Sequence, residues 1–343
     1  MRITAASAID GSIDAADVAA PDRADVWQSL SPSRAADFMA CPLLYRFRVI
    51  DKLPEPASPA AVRGTVVHAV LERLFDLPAV GRTPARAMTM LEPAWESLVA
   101  AEPELAAMFD AETGDRTHET QTDPDVALVD WLAECRGLVE RYFALEDPAR
   151  LEPAERELYV ETLLDSGLTL RGYIDRVDIA STGELRIVDY KTGRSPNEFF
   201  EAKALFQMKF YALVIWRTRG IIPRMLKLIY LGNSEMLQYE PEERDLLATE
   251  RKLEALWRAI SRAYETGDWR ANKSRMCDWC AHQALCPEWG GTPPPLPEPT
   301  AHNANEAAPP VIAGTAPRDP ASPAGVIRPA YVMRPEGRDP RIA

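Results

Sequence analysis

Two aspartates and a lysine, Asp175, Asp189 and Lys191, stand in strand-like sequence on either side of a short turn. Brought together, such side chains could bind a divalent cation and direct phosphodiester hydrolysis. A second set comprises Cys41, Cys277, Cys280 and Cys286, thiols able to hold a zinc ion or an iron–sulfur cluster. The acidic set lies within the stretch of chain that the cysteines bracket.

The aspartates are placed by turn chemistry. The segment Ala180-Ser-Thr-Gly-Glu184 fits a three-residue hairpin loop, with Gly183 at the position that requires a left-handed backbone. Pairing Ala180 with Glu184 sets Asp175 directly opposite Asp189, on one face of the sheet. Lys191, two residues further on, shares that face. A slip of one residue would separate all three. Two adjacent carboxylates repel unless a cation joins them, and hard oxygen donors suit Mg²⁺ or Mn²⁺. Lys191 could orient a water or stabilise developing negative charge. The alternative is a surface hairpin carrying an ordinary Asp–Lys ion pair.

These residues need a sheet and helices to hold them. Leu158–Leu163, Leu168–Ile179 and Leu185–Lys191 read as strands, as does Leu226–Leu231. Helices are expected from Pro32 to Cys41 with Ser31 as cap, and from Val66 to Leu77 with Thr65 as cap. Two or three more should lie between Thr83 and Leu145, then one from Glu198 to Trp216 and one from Pro241 to Tyr264. That order implies an α/β fold, a mixed central sheet flanked by helices with a helical insertion.

The chain has 343 residues, 46% hydrophobic, enough for one large domain over 25–290. Residues 1–24 and the Pro- and Ala-rich 291–343 are expected to be disordered. No apolar run approaches the roughly 20 residues that cross a bilayer. The opening residues lack a secretory pattern, so a cytoplasmic setting with reduced thiols is expected. The net charge of −13 is unusual for a nucleic-acid enzyme. Basic residues nonetheless gather between Arg186 and Lys227 and between Arg251 and Arg275, where a local field can serve a groove.

Four motifs in order now stand out: Gly64-Thr-Val-Val-His68-Ala-Val-Leu-Glu72, Gly172-Tyr-Ile-Asp175-Arg-Val-Asp178, Val188-Asp189-Tyr190-Lys191-Thr-Gly193 and Gln207-Met-Lys-Phe-Tyr211. Together they resemble the RecB-type nucleases of the PD-(D/E)XK superfamily, over about residues 29–289. The resemblance implies a restriction-endonuclease-like core. It also implies a metal (Mg²⁺ or Mn²⁺) held by His68, Asp175, Asp189 and the backbone carbonyl of Tyr190. Lys191 would be the catalytic lysine, and Gln207 and Tyr211 would position DNA. The implied activity is exonuclease cleavage of single-stranded DNA ends in repair or recombination. No P-loop is present, so any helicase would be a partner. A CRISPR-adaptation nuclease and a non-catalytic DNA-binding or scaffold module are the alternatives.

By spacing alone, Cys277-x₂-Cys280-x₅-Cys286 suits a zinc knuckle, with His282 or Cys41 as fourth ligand. The pairing with distant Cys41-Pro42 resembles the iron staple of AddB-type and CRISPR-adaptation nucleases. That resemblance implies a structural 4Fe–4S cluster on Cys41, Cys277, Cys280 and Cys286, closing a loop of more than 230 residues. Cys135 reads as a buried free thiol.

Overall fold

The computed structural model describes residues 29–109, 124–196 and 201–297. Residues 1–24 and most of the expected disordered tail, part of the helical insertion and the first residues of the helix expected from Glu198 lie outside these. The start of that tail, 291–297, is ordered instead, with Arg46 donating to the Pro294 carbonyl and Leu296 packed on the core.

The strands are β1 (Ser29–Leu30), β2 (Glu155–Leu163), β3 (Thr169–Ile179), β4 (Leu185–Lys191), β5 (Met225–Tyr230) and β6 (Glu235–Tyr239). The helices are α1 (Pro32–Ala40), α2 (Pro42–Tyr45), α3 (Pro59–Leu74), α4 (Pro84–Met88), α5 (Leu91–Ala101), α6 (Pro124–Leu145), α7 (Glu201–Arg219) and α8 (Glu243–Thr266). One mixed sheet runs in the order β1-β3-β4-β5-β6, with β2 also paired to β3. The expected α/β fold, a central mixed sheet flanked by helices, is what the chain adopts.

Helices cover both faces of the sheet. On one side α7 packs with α1 and α8, burying Met208, Phe210, Leu213 and Ile215 against Ile174, Ile187 and Leu228. On the other, α3, α5 and α6 bury Val67, Leu71, Trp95 and Tyr142 against Val188, Tyr190 and Ile229. Strand β4 is buried along nearly its whole length because helices cover both faces of the sheet.

Local sequence explains most element ends. Ser31 caps α1 by accepting the amide of Arg34, and Pro32 occupies the first turn. The β3–β4 turn forms as expected: Gly183 has φ +89°, and the amide of Ala180 donates to Glu184 O at 2.9 Å. The ladder pairs Arg176 with Val188 in the expected register.

Three expectations need correction. Helix α3 begins at Pro59 after Ser58, not at Val66, so Thr65 is an interior residue and not a cap. Gly64 lies inside the helix, where an added Cβ would make only an ordinary contact with Thr192 Oγ1, at 3.5 Å. The same helix ends at Leu74, short of Leu77. The edge strand β6 was not anticipated; its five residues are half-buried or exposed and show little apolar pattern.

A buried charge network anchors β3 and β5 to the end of α6. Glu146 accepts from Arg176 Nη1 at 2.8 Å and from Lys227 Nζ at 2.7 Å. Burial alone would raise its pKa, but the two cations outweigh burial and hold it at about 2. A depressed carboxylate stabilises the fold above its unfolded pKa, and that contribution is lost as pH falls from about 4.5 towards 2. Glu146→Gln should therefore cost on the order of 3 kcal/mol at pH 7, because it takes the carboxylate from buried Lys227 and leaves buried Arg176 with the Asp178 carboxylate alone. Urea melts should show the wild-type–variant gap shrinking below about pH 4.5. A gap that is constant from pH 7 to 3 would contradict this reading.

Candidate active site

The site forms where β3 changes partners. Along one edge, β3 pairs with β1 at Thr169 and Leu170, then with β4 from Arg176 onward. Asp175 lies just before the β4 ladder begins, at the register position opposite Asp189. Its carboxylate accepts the backbone amide of Tyr190 at 2.7 Å, so a side chain takes up the next main-chain donor of β4.

Asp189, Lys191 and Gln207 form a closed triangle. Lys191 Nζ lies 2.7 Å from Asp189 Oδ2 and donates to Gln207 Oε1 at 2.9 Å. Gln207 Nε2 donates to Asp189 Oδ1 at 2.8 Å and lies 3.4 Å from the Tyr211 hydroxyl. Helix α7 brings Gln207 and Tyr211 to the site one turn apart. Gly172 lets the helix come this close: a Cβ there would stand 2.9 Å from Tyr211 Cε1.

His68 enters from α3. Its Nε2 is 3.0 Å from the Tyr190 carbonyl and its Nδ1 is 3.5 Å from Asp175 Oδ2. A carbonyl can only accept, so Nε2 carries the proton in this contact and Nδ1 keeps a free lone pair. Burial lowers the pKa of His68, partly opposed by the charge of Asp189. The imidazole is therefore neutral near pH 7, the form that ligates a metal.

One further residue joins them that the sequence reading did not single out. Donor atoms of His68, Glu157 and Asp175 all lie within 4.8 Å of one another. Glu157 sits in β2 with φ +43°, a left-handed backbone unusual for a non-glycine residue. It drops out of a ladder that pairs Arg156 with Arg176 and Leu158 with Ile174. Strain of this kind costs about 1–3 kcal/mol and concentrates at functional sites. The signal was present in the sequence: Asp165-Ser-Gly167 makes a second tight turn, closed by Leu164 N to Leu168 O at 2.9 Å. Its register sets Glu157 opposite Asp175, just as the first turn sets Asp189 there.

The electrostatics ask for a cation. Burial raises the pKa of Asp175 well above the usual carboxylate range, and the charge of Asp189 raises it further. Glu157 is raised by burial, then by Glu72 and Asp189. Lys191 is the ammonium set among these carboxylates, and it is already shared between Asp189 and Gln207. Two carboxylates and a neutral imidazole are a fitting donor set for Mg²⁺ or Mn²⁺. Asp189 is not among these gathered side-chain donors, and the Tyr190 carbonyl stands 3.0 Å from His68 Nε2.

The thiols gather elsewhere. Cys41, Cys277, Cys280 and Cys286 line one cavity of about 70 Å³, and all are free thiols. Burial raises the pKa of Cys286, and the other three thiols add to the rise. Amides point at two sulfurs: Asn272 N donates to Cys41 Sγ at 3.4 Å, and Ser274 N to Cys277 Sγ at 3.3 Å. His282 turns away to Glu55, with Nε2 2.7 Å from Oε1, and does not line the cavity. Cys135 is fully buried in the other core, and burial pushes its thiol up to about 12.

The fold and this carboxylate–lysine site define a class. The sequence profile of the PD-(D/E)XK nuclease superfamily matches residues 29–287, and the chain belongs to that superfamily. Nucleases of this superfamily use divalent metals, in keeping with the donor set. Among curated proteins, the chain is 31% identical to the Gene 69 protein of Mycobacterium phage D29 over 201 residues, which is 56% of this chain and 70% of the relative. Among solved structures it is similar to a candidate exonuclease from Eubacterium rectale, with 12% identity and a TM-score of 0.45. That likeness covers 76% of this chain and 89% of the other. Among the described residues no helix is long and apolar enough to cross a membrane.

Proposed function

We propose that this chain is a metal-dependent DNA nuclease of the RecB type that degrades single-stranded DNA from its ends. The observation that carries the reading is the convergence of His68, Glu157 and Asp175 beside the Asp189–Lys191–Gln207 triangle. His68, Glu157 and Asp175 would hold the Mg²⁺ or Mn²⁺, with Asp189 and the Tyr190 carbonyl completing the surroundings. A cation bound there polarises the scissile phosphoryl oxygen and acidifies a water.

The remaining steps belong to the protein. Asp189 and Gln207 fix the Lys191 ammonium at the wall of a large groove, where it would meet a substrate phosphate. Held in place and partly shielded from water, that charge stabilises the extra negative charge of the transition state. Gln207 orients Lys191 through its carbonyl and Asp189 through its amide, so it acts as a positioning residue. Tyr211 stands one turn further along α7, close to the strand that bears Asp175.

We assign the four gathered cysteines to a 4Fe–4S cluster with a structural role, by their resemblance to the iron-staple nucleases. The fit rests on the shared cavity and on the amides directed at Cys41 and Cys277. Thiolate clusters are commonly hydrogen-bonded in this way. A setting in repair or recombination, with a helicase partner, follows from the RecB resemblance.

End-dependence tests the activity. Anaerobically purified protein with Mn²⁺ should degrade linear single-stranded DNA and leave a single-stranded circle of the same sequence intact. Equal cutting of the circle would overturn the exonuclease reading. Degradation no faster than in EDTA would favour a non-catalytic DNA-binding module.

A further inference from the structure

One groove of about 1290 Å³ carries Lys191, Gln207 and Tyr211 of the site together with four side chains the mechanism does not use: Arg34, Arg171, Tyr159 and Tyr173. Tyr173 and Arg171 precede Asp175 on β3 by two and four residues. At the strand's rise they stand about 7 and 13 Å along it from the site. Tyr159 is the cross-strand partner of Tyr173, and their ring centroids are 5.2 Å apart at 54°. Both rings are open to solvent, 45% and 58% exposed. Large aromatic rings left side by side on a sheet surface are costly unless something covers them.

We infer that this groove is a single-strand entry channel, in which the Tyr159–Tyr173 pair stacks an unpaired base while Arg34 and Arg171 hold the backbone beside it. The inference rests on the nuclease reading and adds to it the residues that select the substrate. Every base offers a π-face, but in a duplex both faces are covered by neighbouring pairs, so a stacking platform favours an unpaired strand. The Tyr159 ring is held in place: its hydroxyl donates to Glu161 Oε2. Glu161 also sits opposite Arg171 across the strands, and it is the carboxylate that lines the groove. The arginines supply charge complementarity. Arg34 is anchored on Ser29, with Nη1 3.2 Å from the hydroxyl and 3.3 Å from the carbonyl. Burial, then the like charge of Arg171, lowers its proton affinity.

The test is fluorescence anisotropy on the full chain, in EDTA to prevent cleavage, with a labelled oligo(dT) and a labelled blunt hairpin duplex. Tyr159→Ala and Tyr173→Ala should each weaken oligo(dT) binding about 5-fold or more, the usual loss when a stacked ring is removed. Duplex affinity should stay within about twofold. Tyr173→Phe should bind like wild type, and Tyr173→Leu, which keeps apolar bulk without a ring, should resemble Tyr173→Ala. Arg171→Gln should weaken oligo(dT) and lower the log–log salt slope by about 0.7. The channel is rejected if both alanine variants hold oligo(dT) within twofold of wild type. It is also rejected if they weaken the duplex equally, or if Tyr173→Leu binds normally. Parallel cleavage assays with Mn²⁺ separate the two readings. Ring-dependent binding without cleavage keeps the channel and removes the nuclease; cleavage indifferent to the rings does the reverse.

Discussion

Lys191→Ala is expected to slow cleavage of single-stranded DNA by about 10²–10³-fold while leaving Mn²⁺ binding nearly intact. The magnitude is that of removing one preorganised donor to a developing oxyanion. The dissociation of the two effects follows from the geometry. Lys191 touches Asp189 and Gln207, whereas the gathered metal donors are His68, Glu157 and Asp175. Loss of an interaction made mainly in the transition state should lower kcat and kcat/KM together. Single-turnover cleavage and Mn²⁺ titration, run on the same preparation, check this. A variant that cuts like wild type would remove Lys191 from the chemistry. A variant that loses Mn²⁺ binding and cleavage together would recast the lysine as part of the metal site's structure.

The second large effect concerns the thiols. Cys280→Ser, in protein purified without oxygen, should lose the brown absorbance near about 400 nm that thiolate-bound iron shows. Thermal stability should fall with it. Joining Cys41 to the distant cysteines closes a loop of more than 230 residues. The loop-closure estimate for a cross-link of that length is about 5 kcal/mol. At 2–4 °C per kcal/mol for a domain of this size, the melting temperature should drop by about 10–20 °C. Part of that closure survives without a cluster. Leu43 N donates to Arg270 O, and the Asn272 side chain donates to Ala40 O at 2.8 Å. Metal analysis of the wild type, reading iron against zinc, accompanies the melt. Stoichiometric zinc in a colourless protein would reject the cluster, and an unchanged melting temperature would reject its structural role.

How far the site could be read from sequence depended on whether local chemistry fixed long-range register. Gly183 determines a tight turn, and that turn sets Asp175 against Asp189 without knowledge of the rest of the fold. Gln207 and Tyr211 followed from helical spacing plus a motif resemblance. Glu157 escaped because only one of the two hairpins was read for register; Asp165-Ser-Gly167 carries the same kind of information. Its left-handed backbone, by contrast, is imposed by the tertiary setting and leaves no mark in a strand-like sequence. The buried Glu146–Arg176–Lys227 cluster was equally out of reach, since it joins a helix end to two strands through contacts 30 and 81 residues apart. Helix α3 was cut short at its start because Gly64-Thr65 resembles a cap. Here both residues lie in the interior of a helix that starts at Pro59.

The metal centre itself is open to one direct measurement: Mn²⁺ bound to the full chain, followed by electron paramagnetic resonance, alongside cleavage of labelled single-stranded DNA by the same samples. Wild type should show a Mn²⁺ site whose occupancy tracks the cleavage rate. Asp175→Asn and Glu157→Gln should lose both the site and the activity while melting at or above the wild-type temperature, since each removes buried like charge. If Asp175→Asn binds Mn²⁺ and cuts DNA as wild type does, the carboxylates gathered around β3 are not the hydrolytic centre.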